Sequence, residues 1–230
     1  MSAYLKLLRL EESYKNLTVI VGIIAAMVLF PISINFNLTL RIIGLILLAV
    51  LLSSANYLLN AITDRNYDVL HPSKKFRPLP TKQVSVPEAL IFMLFIILVT
   101  GILSFIFFRK EVIFSLFSLF LAAVLYNLPP IRLKDIPFID VVSESINNPL
   151  RFLIGWFLIA PTFPKISWLL LIWSLAGFLM THKRLQELKE YNEKAILYRT
   201  VFKYYSPARL KRAEIMYLFL SLGLAVLIIF

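Results

Sequence analysis

Long apolar runs separated by short polar connections set the pattern of this chain. Seven runs stand out: Leu17–Ile34, Leu40–Ile62, Val86–Phe108, Val112–Leu128, Ile136–Ala160, Ile166–Met180 and Ile215–Phe230. A helix needs about 20 apolar residues to cross a ~30 Å hydrocarbon core, so each run predicts a spanning helix. The sixth is short and must borrow flanking residues. The runs are continuously apolar, whereas transmembrane strands alternate. Two polar stretches interrupt them, Thr63–Ser85 and Thr181–Ala213. The second helix is expected to continue to about Asp68 and the sixth to about Tyr191. Pro72, Pro78 and Pro80 forbid further helix in the first stretch. Ser206-Pro207 reads as a helix start, with Ser as cap and Pro at the first helical position.

Composition strengthens the membrane assignment. Of 230 residues, 60% are hydrophobic and only 16% charged, far from ordinary soluble usage. The chain has no Cys and two His, which excludes disulfides and thiolate metal sites and argues against zinc. No cleavable leader is expected, since the N-terminus is charged and aromatic. The net charge of +11 raises nucleic-acid binding, but its distribution argues against that. With a cytoplasmic N-terminus, 19 of the 24 Lys and Arg fall on the cytoplasmic side. That bias orients membrane proteins. The expected partner is therefore the bilayer, with no nucleic acid.

The sign of the charge is thus explained, but the spacing of acids among bases is not. Asn60, Asp64 and Asp68 recur at i, i+4 on one helix face. Two carboxylates there repel unless something holds them. They either face water at a solvated helix end or bind a hard cation such as Mg²⁺ through carboxylate and amide oxygens. His71, Lys74, Lys75 and Arg77 follow among prolines. Lys and Arg suit phosphate oxygens, Arg through its bidentate fork. A basic loop meeting lipid headgroups is the alternative. Together, acid pair and basic loop match what a Mg²⁺-bridged diphosphate requires.

Two further groups recur. Lys183, Arg184, Glu187 and Glu190 end the sixth helix, as an ordinary exposed ion-pair array or as a second phosphate or metal site. Asp140, Glu144, Asn147 and Arg151 share one face of the fifth run. Intramembrane ionisable groups face a bundle interior and find partners, so this stripe is either a structural ion pair or the lining of a polar cavity. No Gly-rich phosphate loop and no nucleophile–base triad is present.

The run N60-AIT-D64-RNY-D68 resembles the first aspartate-rich motif of the UbiA-type membrane prenyltransferase superfamily. HPSKKFRP is similar to the His-Pro-x-Lys-x-x-Arg-Pro loop of its decaprenyl-phosphate phosphoribosyltransferase branch. YNLPPIRLKDIPFIDVVSESINNPLRFLIG, KRLQEL and YRTVFKYYSPARL resemble later stretches of that branch, so the likeness runs from about Ser53 to Leu210. The resemblance implies an all-α bundle, typically of nine spanning helices, around a polar cavity open to the cytoplasm. It implies a Mg²⁺-dependent transferase with a diphosphate leaving group and a polyprenyl lipid substrate. Asn60, Asp64 and Asp68 would hold the metal-diphosphate. Lys74, Arg77, Lys183 and Arg184 would hold phosphate oxygens, with His71 beside them, and Glu187 would be the second-motif acid. Tyr126, Lys134, Asp140 and Arg151 match substrate-site motif positions of unassigned role. Ala61 departs from the motif, which often has Asp there. The expectation is one membrane-embedded transferase domain over residues 1–230, shortened or truncated after Phe230. Phosphoribosyl transfer to polyprenyl phosphate is the first expectation, and prenyl transfer to an aromatic or glycerol-type acceptor the second. A non-catalytic lipid-binding protein or transporter is the rival of another class.

Overall fold

The computed structural model describes residues 3–229, and among these every regular element is helical. Ten α-helices follow in order: α1 (Ala3–Leu8), α2 (Leu17–Leu29), α3 (Phe36–Leu70), α4 (Val86–Phe107), α5 (Lys110–Asn127), α6 (Ile139–Ser145), α7 (Asn147–Ile159), α8 (Ile166–Tyr191), α9 (Ala195–Tyr198) and α10 (Pro207–Ile229). Five stretches are long and apolar enough to cross a membrane among the described residues: Ala3–Leu29, Phe36–Leu70, Val86–Phe107, Lys110–Asn127 and Ile166–Tyr198. Only 22% of the most apolar window of α4 is buried within the protein. Large apolar side chains lie outward, as with Phe36, Phe105 and Phe114. In water such a surface would be a liability; against lipid tails it is neutral. The protein is an integral membrane protein.

Predicted helix ends agree closely with the structure. α3 runs on to Leu70 and α8 to Tyr191. α10 begins at Pro207, and Ser206 Oγ accepts from Arg209 N at 3.3 Å. α4 starts with a capping box between Ser85 and Glu88. The fifth apolar run corrects the expectation of one continuous helix. A 3₁₀ turn at Leu133–Asp135 precedes it, and the run itself divides into α6 and α7 at Ile146.

Two compact units divide the chain. The first comprises Met1–Val124 and Leu150–Phe163, the second Leu125–Pro149 and Pro164–Phe230. In the first, α3 packs against α4, while α2 and α7 cross backbone to backbone. A Cβ on Gly22 would lie 2.1 Å from Phe152 O, and one on Gly155 would lie 1.9 Å from Val19 O. Only glycine allows that approach, the usual device where helices associate in lipid. Phe152 and Trp156 stack beside it. In the second, α8 and α10 pack along their length. Ser221 Oγ donates to Ser174 Oγ at 2.9 Å, and the Tyr217 ring fills the space that Gly177 leaves open.

Candidate active site

In the first unit, α3 carries the acid motif. Its 35 residues span about 52 Å, well beyond a ~30 Å core, so an end must emerge from the membrane. Its polar end carries Asn60, Asp64 and Asp68. Asn60 and Asp64 are half-buried, and Asp68 is 4% exposed. Arg77 reaches back from the loop, and its Nη1 donates to Asp68 Oδ2 at 2.9 Å. Lys74 and Asp64 also lie close enough to act on Asp68 electrostatically. Acid and base therefore do meet here, as the spacing suggested. The loop is shaped by His71, whose Nδ1 accepts from Ser73 N at 3.2 Å and from Lys74 N at 3.4 Å. His71 is buried, and this geometry caps the turn that brings Lys74 and Arg77 back toward α3.

In the second unit, the groups assemble around Asp140, which is 0% exposed. A carboxylate so deep is tolerated only when partnered. Arg184 Nε donates to Asp140 Oδ2 at 2.9 Å, and Tyr205 Oη donates to Asp140 Oδ1. The Arg184 fork is fully directed: Nη1 donates to Glu187 Oε2 at 3.0 Å and Nη2 to Tyr126 Oη at 3.4 Å. Arg199 Nη1 donates to Tyr126 Oη at 2.9 Å and lies 3.7 Å from Asp140 Oδ2. Burial first, and then the Asp140 carboxylate, push the Tyr205 phenol well up, so it stays a neutral donor. Tyr205 Oη also accepts from Phe138 N at 2.9 Å, where Phe138 sits at φ 63° just before α6. Lys134, 2% exposed, donates to Asn127 Oδ1 at 2.8 Å.

Tyr126, Asp140, Arg184 and Glu187 are thus brought together. Lys183, one residue from Arg184, is exposed. The predicted stripe from Asp140 to Arg151 is corrected. Ile146, between α6 and α7, keeps helical dihedrals (φ −58°, ψ −27°), but the two ends of the stripe take different partners. Asp140 pairs with Arg184, while Arg151 Nε donates to Asn16 Oδ1 at 3.2 Å within the first unit. Arg199 and Tyr205 went unrecognised, although they lie in a segment that carried the resemblance. Nothing in their local spacing marks them.

Among the described residues, no three His, Asp or Glu side chains gather closely enough to enclose a metal ion. The α3 face offers hard oxygens of the type Mg²⁺ takes. That donor set fits a metal whose coordination is completed by ligand phosphate, not one caged by protein alone.

The UbiA prenyltransferase family model matches residues 17–230. No curated protein matches the sequence. Among solved structures, a UbiA homolog from Archaeoglobus fulgidus bound to DMAPP and Mg²⁺ superposes with a TM-score of 0.79 at 20% identity. The match covers 97% of this chain and 76% of that one. The same homolog bound to GPP and Mg²⁺ gives 0.74 at 20% identity over 98% and 78%. Bound to Cd²⁺ it gives 0.73 at 21% identity over 97% and 76%.

Proposed function

The chain belongs to the UbiA prenyltransferase family, and from that premise we propose that it transfers a phosphoribosyl group from phosphoribosyl diphosphate to a polyprenyl phosphate, releasing diphosphate. The observation that carries this reading is the pairing of the acid face of α3 with the Lys74–Arg77 loop, anchored by Arg77 on Asp68 at 2.9 Å. Asn60, Asp64 and Asp68 are the residues that would hold Mg²⁺ together with donor phosphate oxygens. Mg²⁺, once bound, offsets charge developing on the leaving diphosphate. Lys74 and Arg77 add fixed positive charge at the same place. His71 holds the loop turned so that both cations stay near the acids. Arg184 and Arg199 set Tyr126, Asp140 and Glu187 in fixed positions, so the second-motif acid is preorganised.

The branch rests on HPSKKFRP, whose His, Lys and Arg the structure puts on one short loop. Prenyl transfer is the second reading, favoured by the structural relatives that bind DMAPP or GPP with Mg²⁺. The excess of Lys and Arg in the N-terminal segment and the two long polar stretches supports a cytoplasmic site. The test is diphosphate release by purified protein in nanodiscs. Polyprenyl phosphate with phosphoribosyl diphosphate is the first pair, and prenyl diphosphate with an aromatic acceptor the second. Chelator-sensitive release from the first pair alone supports the reading; release from the second pair alone replaces it with prenyl transfer.

A further inference from the structure

Two faces of α10 differ sharply. Leu210, Glu214, Tyr217 and Ser221 recur at i, i+4, i+7 and i+11 and are buried. Tyr217 and Ser221 pack against α8 at Gly177 and Ser174. On the far side, Arg209, Arg212, Met216, Phe219 and Leu227 share one outward stripe, and all five are exposed. The apolar part of the stripe, over 216–227, rises about 16 Å. That is the depth of one leaflet, half of a ~30 Å core. Arg209 and Arg212 therefore stand where the hydrocarbon ends.

A 3₁₀ segment, Thr200–Tyr204, leads toward this helix. Val201 and Phe202 turn inward, into one core with Leu185, Tyr205 and Leu210. Lys203 and Tyr204 are exposed. Arg209 Nη1 donates to Tyr204 O at 3.2 Å, which folds the guanidinium back beside that segment. Long cationic side chains and tyrosine rings are the groups that settle at headgroup level.

The nearby acids are already engaged. Glu214 is held by Lys211 at 2.8 Å and by His182 at 2.6 Å. Asp135 is held by Arg132 at 2.6 Å and by Thr200 Oγ1 at 2.9 Å. Among the described residues, no acid pairs with Lys203, Arg209 or Arg212. The sorting of charge across a membrane asks only that cations lie on one side. It does not ask them to extend a lipid-facing stripe, beside an exposed tyrosine, with no acid bound to them.

We propose that Lys203, Arg209 and Arg212 form a dock for the anionic headgroup of a phospholipid whose acyl chain lies along the stripe over 216–227. Cations at such a surface attract anionic lipid strongly and salt-dependently. The dock sits on the segment that delivers Arg199 to Tyr126 and Tyr205 to Asp140, so a bound lipid holds that segment in place. Neither donor nor metal is needed for it.

The experiment uses the full chain in nanodiscs of equal parts phosphatidylcholine and phosphatidylglycerol, with chelator and without donor. Failure of the transfer reaction therefore leaves this result untouched. Lipid retained after extraction is read by mass spectrometry. The parent should retain phosphatidylglycerol in preference, and high salt should erase the preference. Lys203→Gln, Arg209→Gln and Arg212→Gln should each lower that retention about fivefold, the worth of one cation at an anionic surface. Lys203→Arg should retain it like the parent. A control combining Arg41→Gln, Lys110→Gln and Lys165→Gln removes equal charge from other exposed positions and should keep the preference. Amide exchange over 199–205 should slow in phosphatidylglycerol relative to phosphatidylcholine, in the parent but not in the combined dock variant. Equal retention of the two lipids by the parent, or loss of preference in the control as large as in the dock variants, would overturn the dock. Retention without slower exchange would overturn its hold on the segment.

Discussion

Replacing Arg184 by Met tests the second unit most directly. The change removes the donor to Asp140 at 2.9 Å, the donor to Glu187 at 3.0 Å and a contact to Tyr126. Both members of the central pair are shielded, with side chains 3% and 0% exposed. Breaking such a pair from one side costs about 3–5 kcal/mol, because a buried charge is left behind. Asp140 keeps the Tyr205 hydroxyl and Arg199 at 3.7 Å, which puts the loss near the lower bound, about 3 kcal/mol. At roughly 2–4 °C per kcal/mol for a chain of this size, the melting midpoint should fall by about 6–12 °C. Trp173, whose indole donates to Val142 O, supplies a fluorescence signal from the same unit. Adding Asp140→Asn to the Met variant removes the stranded charge. The double variant should recover part of the loss, and the cycle isolates the pairing. A drop below about 2 °C, or a double variant no more stable than Arg184→Met, would refute the buried-pair account. Arg184→Lys should not restore stability, since one ammonium cannot serve three acceptors held by a planar fork.

Other outcomes follow from the same geometry. Asp64→Asn should abolish chelator-sensitive diphosphate release while leaving the melting midpoint within about 2 °C, because Asp64 is only half-buried. Arg77→Ala should both stop release and destabilise, since Asp68 is left buried without its 2.9 Å partner; unchanged release would separate the loop from the reaction. Gly155→Ala should lower stability by about 1–3 kcal/mol through overpacking, read as a lower midpoint and aggregation on size exclusion, whereas Gly101→Ala, with open space around it, should be silent. Tyr205→Phe should cost about 1–3 kcal/mol, as it removes the donor to Asp140 and the acceptor of Phe138 N.

Much of this protein is determined locally. Apolar runs of bilayer length form helices wherever they lie, because no other element satisfies the backbone in hydrocarbon. The acid face of α3 is legible for a similar reason: positions i, i+4 and i+8 of one helix share a face whatever packs around it. The Arg77–Asp68 pair spans nine residues, close enough for a proline-rich loop to return. Other features have no local cause. The break at Ile146 is an exception, since it falls in Ser145-Ile146-Asn147-Asn148-Pro149, where Pro149 has no N–H to donate to the Ser145 carbonyl. Asp140 is separated from Arg184 by 44 residues and from Tyr205 by 65. Which guanidinium neutralises it depends on how α6, α8 and the turn before α10 pack. A buried charge takes the partner that packing delivers, and spacing along the chain carries no record of that choice.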